Sequence, residues 1–126
     1  MPNPQSKATN PKDAISGAKS PVWLVPPLLV LGTAEAMRDG GVKYGPFNWR
    51  ETGVRTTVYL SAMHRHLAAY QDGQDVAEDS GVHHLKHIAA CIAILLDAEA
   101  IGMLNDDRPP AGGAAAYLER YALDNA

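Results

Sequence analysis

Two long runs of helical periodicity, joined by one short acidic connection, constrain this chain more than any other feature. The first runs from about Thr52 to Gln71. Val58, Ala62, His66 and Ala69 recur there at helical spacing, beside an adjoining stripe of Tyr59, Met63, Leu67 and Tyr70. The second runs from Ser80, a good N-cap, to about Met103. Leu85, Ile88, Ile92 and Leu95 form its apolar stripe, which leaves the core at Glu99. Asp72-Gly73 ends the first helix, and so short a connection makes the second return antiparallel against it.

The remaining elements are shorter. Pro26 and Pro27 can open a helix carrying Leu28 through Arg38, which Gly40 and Gly41 are expected to end. Val42 to Glu51 then reads as a loop, with a turn at Gly45-Pro46 and aromatic weight from Phe47 and Trp49. A last helix, from about Gly113 to Leu123, follows the turn-rich stretch Asn105 to Pro110. No window alternates as a strand does, and no internal repeat is present. The expected fold is all-α: a small bundle of about four helices with an irregular N-terminal segment. Residues 1–20 form that segment and 21–126 a single domain.

With 126 residues the chain can build one modest core. Its formal charge of −3 argues against a general nucleic-acid-binding surface. No basic stretch followed by an apolar run opens the chain, and Val22 to Leu31, broken by two prolines, is too short to span a bilayer. Cys91 is the only cysteine, which excludes an intrachain disulfide and fits a reducing compartment. The expectation is a cytoplasmic protein with neither a membrane nor a nucleic-acid partner.

Chemistry concentrates around the acidic connection. All the histidines, His64, His66, His83, His84 and His87, fall close to it. His84 and His87, at i and i+3, share a face in the first turn of their helix, and His66 on the returning helix can approach them. Asp75 and Asp79 lie on the connection itself. Imidazoles with carboxylates suit Mn, Fe, Zn or Mg, the oxygen-rich side favouring the harder ions. A helix N-terminus disfavours a protonated histidine by about 0.3–1 kcal/mol, which keeps His84 and His87 neutral as a metal requires. The competing reading is exposed polar residues flanking a turn, and His64 and His83, off the shared face, fit it. One cysteine in a mid-helix apolar stretch argues against both a structural zinc and a thiol nucleophile.

A second cluster, Lys43, Tyr44, Asn48, Trp49 and Arg50, offers cations for phosphates and ring faces for a base. A loop anchored by Trp49 in the core, its cations in solvent, explains the same residues equally well. Arg65 is either a further phosphate clamp or a surface ion-pair partner.

Taken together, Lys43-Tyr44-Gly45-Pro46-Phe47-Asn48-Trp49-Arg50, Arg65-His66-Leu67, Asp72-Gly73-Gln74-Asp75 and Asp79-Ser80-Gly81-Val82-His83-His84-Leu85-Lys86-His87 resemble the phage dATP/dGTP diphosphohydrolase family. Its MazZ-type members are akin to the MazG-like all-α nucleotide pyrophosphohydrolases. Asn10-Pro11-Lys12-Asp13, Leu24-Val25-Pro26-Pro27 and Asn105 to Pro109 fit the pattern too, so the resemblance covers most of the chain. The family's acidic loop reads nearer Gly-Glu-Asp-x-Asp-Pro-Glu-Ser-Gly. Here Gln74 and Ala77 replace two of its acids and Asp79 takes the glutamate place, and no paired-glutamate helix is visible.

The resemblance implies hydrolysis of a purine deoxynucleoside triphosphate, dGTP or dATP, to the monophosphate and pyrophosphate in phage nucleotide-pool remodelling. It implies a divalent cofactor, Mg or Mn, held by a subset of His66, Asp75, Asp79, His84 and His87. Water activation falls to the metal with Glu35 or Asp79. Lys12, Lys43, Arg50 and Arg65 hold phosphates, with Asn48 beside them, and Trp49 or Tyr44 stacks on the purine. It also implies a homo-oligomer, a dimer or tetramer. The alternatives are a non-enzymatic nucleotide- or partner-binding module and an HD-type phosphohydrolase, although the adjacent His-Asp pair of that class is absent.

Overall fold

The computed structural model describes residues 10–126. Among them the order is α1 (Pro11–Ser16), a 3-10 turn (Val22–Leu24), α2 (Pro27–Tyr44), α3 (Asn48–Thr52), β1 (Val54–Arg55), α4 (Thr56–Gln71), α5 (His84–Ala100), β2 (Leu104–Asn105) and α6 (Ala114–Asp124). The fold is essentially all-α. Of the expected irregular segment, residues 1–9 lie outside the described residues, and residues 10–20 carry one short exposed helix, α1, opened by a capping box between Asn10 and Asp13. Among the described residues no helix is long and apolar enough to cross a membrane.

The expected hairpin is α4 and α5. His66, near the end of α4, meets His84 at the start of α5. At the other end, β1 before α4 pairs in parallel with β2 after α5, Val54 opposite Leu104 and Arg55 opposite Asn105. Both ends match only if the helices run antiparallel. The third long helix, α2, packs on α5 in the same direction as α5. Gly32 lies against the Lys86 stem, and beyond the end of α2 Trp49 reaches Asp97.

Four boundaries differ from the sequence expectations. α2 does not stop at Gly40-Gly41 but runs to Tyr44, where Gly45 at φ 91° ends it. Two mid-helix glycines cost about 1 kcal/mol each, which packing on α5 and the Asp39–Lys43 ion pair spanning them offset. The expected loop therefore contains the last turn of α2 and all but the last residue of α3, which Phe47 opens in the left-handed region at φ 55°. α4 begins at Thr56 rather than Thr52, because Gly53 at φ 72° turns the chain into β1. A Cβ at Gly53 would lie 2.9 Å from the Met103 carbonyl oxygen, so this crossing needs glycine. Finally, α5 is capped by His83, whose Nδ1 accepts from the Leu85 amide, and not by Ser80. The extended bridge between Val76 and His83 delays the helix start.

The core is built from small residues. Ala36, Ala77, Ala90, Ala98 and Trp49 are buried. The buried line on α5 runs through His84, Ala90 and Ala98, so Leu85 and Ile92 of the expected stripe are exposed instead. Alanines let α2, α4 and α5 approach closely, but they leave little apolar mass inside.

Candidate functional site

An open cavity of about 1150 Å³ lies between α2, the α2–α3 turn, α4 and α5. Arg38, Asp39, Lys43, Arg55, Arg65, His66, Asp79 and His87 contribute charged and titratable groups to its wall. Tyr44, Asn48 and one edge of Trp49 complete the end near α3. The two clusters read from the sequence thus face one space.

The histidines form a bonded network. His66 Nδ1 lies 2.8 Å from His84 Nδ1, and His84 Nε2 lies 2.7 Å from Gln74 Oε1. The His66 and His87 rings stack at 4.5 Å between centroids, and His87 Nε2 lies 2.7 Å from Ser80 Oγ. The Ser80 oxygen also accepts from the Val82 amide. His84 is 5 % exposed, and its amide donates to the Asp75 carbonyl. Burial lowers the pKa of His66, with the neighbouring His87 and His84 acting in the same direction. Burial also lowers that of His87, opposed by the carboxylates of Asp39 and Asp79. Both shifts favour the neutral form of the ring.

Of the residues singled out in the sequence, His66, Asp79, His87, Lys43, Tyr44, Asn48, Trp49 and Arg65 line the cavity. Others lie elsewhere. His84 stands behind His66, away from the cavity wall. The Glu35 carboxylate pairs with Lys86 at 2.7 Å outside the cavity. Asp75 is exposed on the connection, and Lys12 is on α1; neither lines the cavity.

The Trp49–Arg50 pair belongs to a structural clamp. Trp49, 5 % exposed, donates Nε1–H to Asp97 Oδ2 at 2.7 Å. Arg50 grips the same carboxylate through two nitrogens, each at 2.9 Å, and lies over the Phe47 ring. Trp49 is therefore the core anchor of its loop, which leaves Tyr44 and Phe47 as exposed rings beside the cavity. The Arg50 and Trp49 donors hold the Asp97 carboxyl down to about 2. A carboxylate with a lowered folded pKa stabilises above its unfolded value, and that contribution is lost as pH falls through the folded one. Asp97→Asn is accordingly expected to flatten the fall in stability between about pH 4 and pH 2, as read by urea denaturation across that range. An unchanged slope would mean the clamp is open in solution.

Sequence reasoning missed Asp39, Ser80 and Gln74. Asp39 was legible as the i, i+4 partner of Lys43, had the helix been carried through the glycines.

A family model described as dATP/dGTP diphosphohydrolase, N-terminal, matches residues 9–108. Among curated proteins, the chain is 31 % identical over 72 residues to a dATP/dGTP diphosphohydrolase of Salmonella phage PMBT28. That match covers 57 % of this chain and 24 % of the phage protein, so the chain spans about a quarter of its relative's length. No solved structure matches.

Proposed function

The chain belongs to the dATP/dGTP diphosphohydrolase family, in its N-terminal domain, and from that premise we propose that it hydrolyses dGTP or dATP to the monophosphate and pyrophosphate. The observation that carries the reading is one cavity in which cations, carboxylates, imidazoles and exposed aromatic rings converge. Lys43 and Arg65 supply positive charge for the phosphates, and the exposed Tyr44 offers a face for the purine.

A histidine-built metal centre does not fit these residues. Both ring nitrogens of His84 and one each of His66 and His87 are already within hydrogen-bond distance of protein partners. Among the described residues no three His, Cys, Asp or Glu side chains converge to hold an ion. Asp39 and Asp79 fit a different arrangement, a Mg or Mn ion that arrives on the triphosphate and needs only one or two protein carboxylates. Bound there, it would neutralise phosphate charge. We assign the physiological role to nucleotide-pool remodelling in a phage-infected cytoplasm.

Assembly with further copies belongs to the same proposal. Trp23, Leu28 and Leu31 before and along α2, and Leu96 on α5, are all more than half exposed. Light scattering at micromolar concentration is expected to give a dimer or larger, and a monomer mass would contradict this.

The activity is tested with purified protein, the eight common nucleoside triphosphates, and Mg or Mn. We expect dGTP or dATP to yield monophosphate and pyrophosphate. Nucleoside plus triphosphate would indicate HD-type chemistry, and no turnover a binding module.

A further inference from the structure

We propose that Gln74 is a positioning residue: through His84 it presents His66 to the cavity with an unprotonated Nε2, the acceptor for a proton of the attacking water. The role as acceptor rests on the hydrolytic reading above.

The donors and acceptors can be followed one at a time. The Gln74 Oε1 oxygen can only accept, so the contact at 2.7 Å puts the His84 proton on Nε2. With one ring proton, His84 then has a bare Nδ1. His84 is almost completely buried, so His66 rather than water must supply the donor at 2.8 Å, and His66 carries its proton on Nδ1. The other nitrogen, Nε2, keeps a free lone pair. Among the described residues it has no hydrogen-bond partner, and the His66 ring lines the cavity that His84 does not reach. The parallel His87 ring, 11° from coplanar, fixes the tilt. A base oriented by a buried partner, itself held by a third polar group, is a recurring arrangement in hydrolases.

The step balances without a further reactant. The water oxygen bonds to a phosphorus of the α–β bridge as the bridging P–O bond breaks, and that electron pair leaves with the departing phosphate group. The water proton goes to His66 Nε2, and the imidazolium later releases it to solvent.

The test combines kinetics of the wild type, Gln74→Leu and Gln74→Glu with ¹⁵N NMR of the histidine rings in the free wild-type protein. Leucine cannot accept, so kcat is expected to fall about 10–100-fold with KM within about two-fold. Glutamate accepts from the same nitrogen and is expected to recover kcat to within about three-fold of wild type. The spectra are expected to place the protons on His66 Nδ1 and His84 Nε2. The backbone bond from the Gln74 amide to the Ala69 carbonyl survives either substitution. Should Gln74→Leu nevertheless unfold, the wild-type spectra and Gln74→Glu decide the matter. An active wild type with kcat unchanged in Gln74→Leu, or a proton on His66 Nε2, overturns the proposal. A wild type that turns over no nucleotide overturns the hydrolytic reading and the base role with it, while the tautomers still stand or fall on the spectra.

Discussion

Trp49→Ala is expected to cost about 3–5 kcal/mol of folding stability, the range for removing a buried tryptophan. That is a large share of the roughly 5–15 kcal/mol that holds a domain of this kind. Trp49 is the one large aromatic side chain among the buried hydrophobic residues; the others are alanines. Its loss removes ring contacts on Phe47 and the Asp97 bond at once. Trp49→Phe keeps most of the ring and forfeits the bond, so about 1–2 kcal/mol is expected to go. Urea denaturation followed by circular dichroism measures both. Fluorescence would be confounded, because Trp23 is 82 % exposed and reports on a different place. A cost under about 1 kcal/mol for Trp49→Ala would show that the ring is free in solution, reopening the purine-stacking role.

His66→Ala is expected to lower kcat about 10²–10⁴-fold, the usual contribution of a positioned general base. The same change strands Nδ1 of buried His84, which adds about 1–3 kcal/mol of destabilisation. His66→Gln separates the two effects, since its amide can donate to His84 yet offers no basic nitrogen. We expect His66→Gln to regain most of the stability and little of the rate. Single-turnover assays well below the unfolding temperature, with saturating dGTP or dATP, read the chemical step directly. Turnover within about three-fold of wild type in both variants would remove His66 from the mechanism.

The α4–α5 hairpin was legible because length, period and a short connection all act on neighbouring stretches of chain. The meeting of His66 with His84 and His87 followed from that hairpin alone. What lay hidden depends on partners far away in sequence. Nothing local distinguishes Gly40-Gly41 as mid-helix rather than terminal; the packing of α2 on α5 does so. With α2 read as ending there, Asp39 fell at a helix end instead of on the cavity wall. Strands of two residues, such as β1 and β2, carry no alternation to detect. For Trp49 the residues allowed two roles, and Asp97, 48 positions away, selects the anchor. The histidine face was visible, but which ring is buried, and what each nitrogen meets, required coordinates.

The parallel pairing of β1 with β2 sets an order of assembly. His66 and His84 are 18 positions apart, whereas Thr57 and Asp107, bonded beside the paired strands, are 50 apart. Closing the longer loop costs about 0.9 kcal/mol more in chain entropy, and only two residues per strand are there to offset it. The histidines therefore come together early, with the hairpin, and the strands close late. Local opening should run in reverse: amide protons of Val54 and Met103 exchange before those in the middle of α4, so the far end frays while the imidazole network holds.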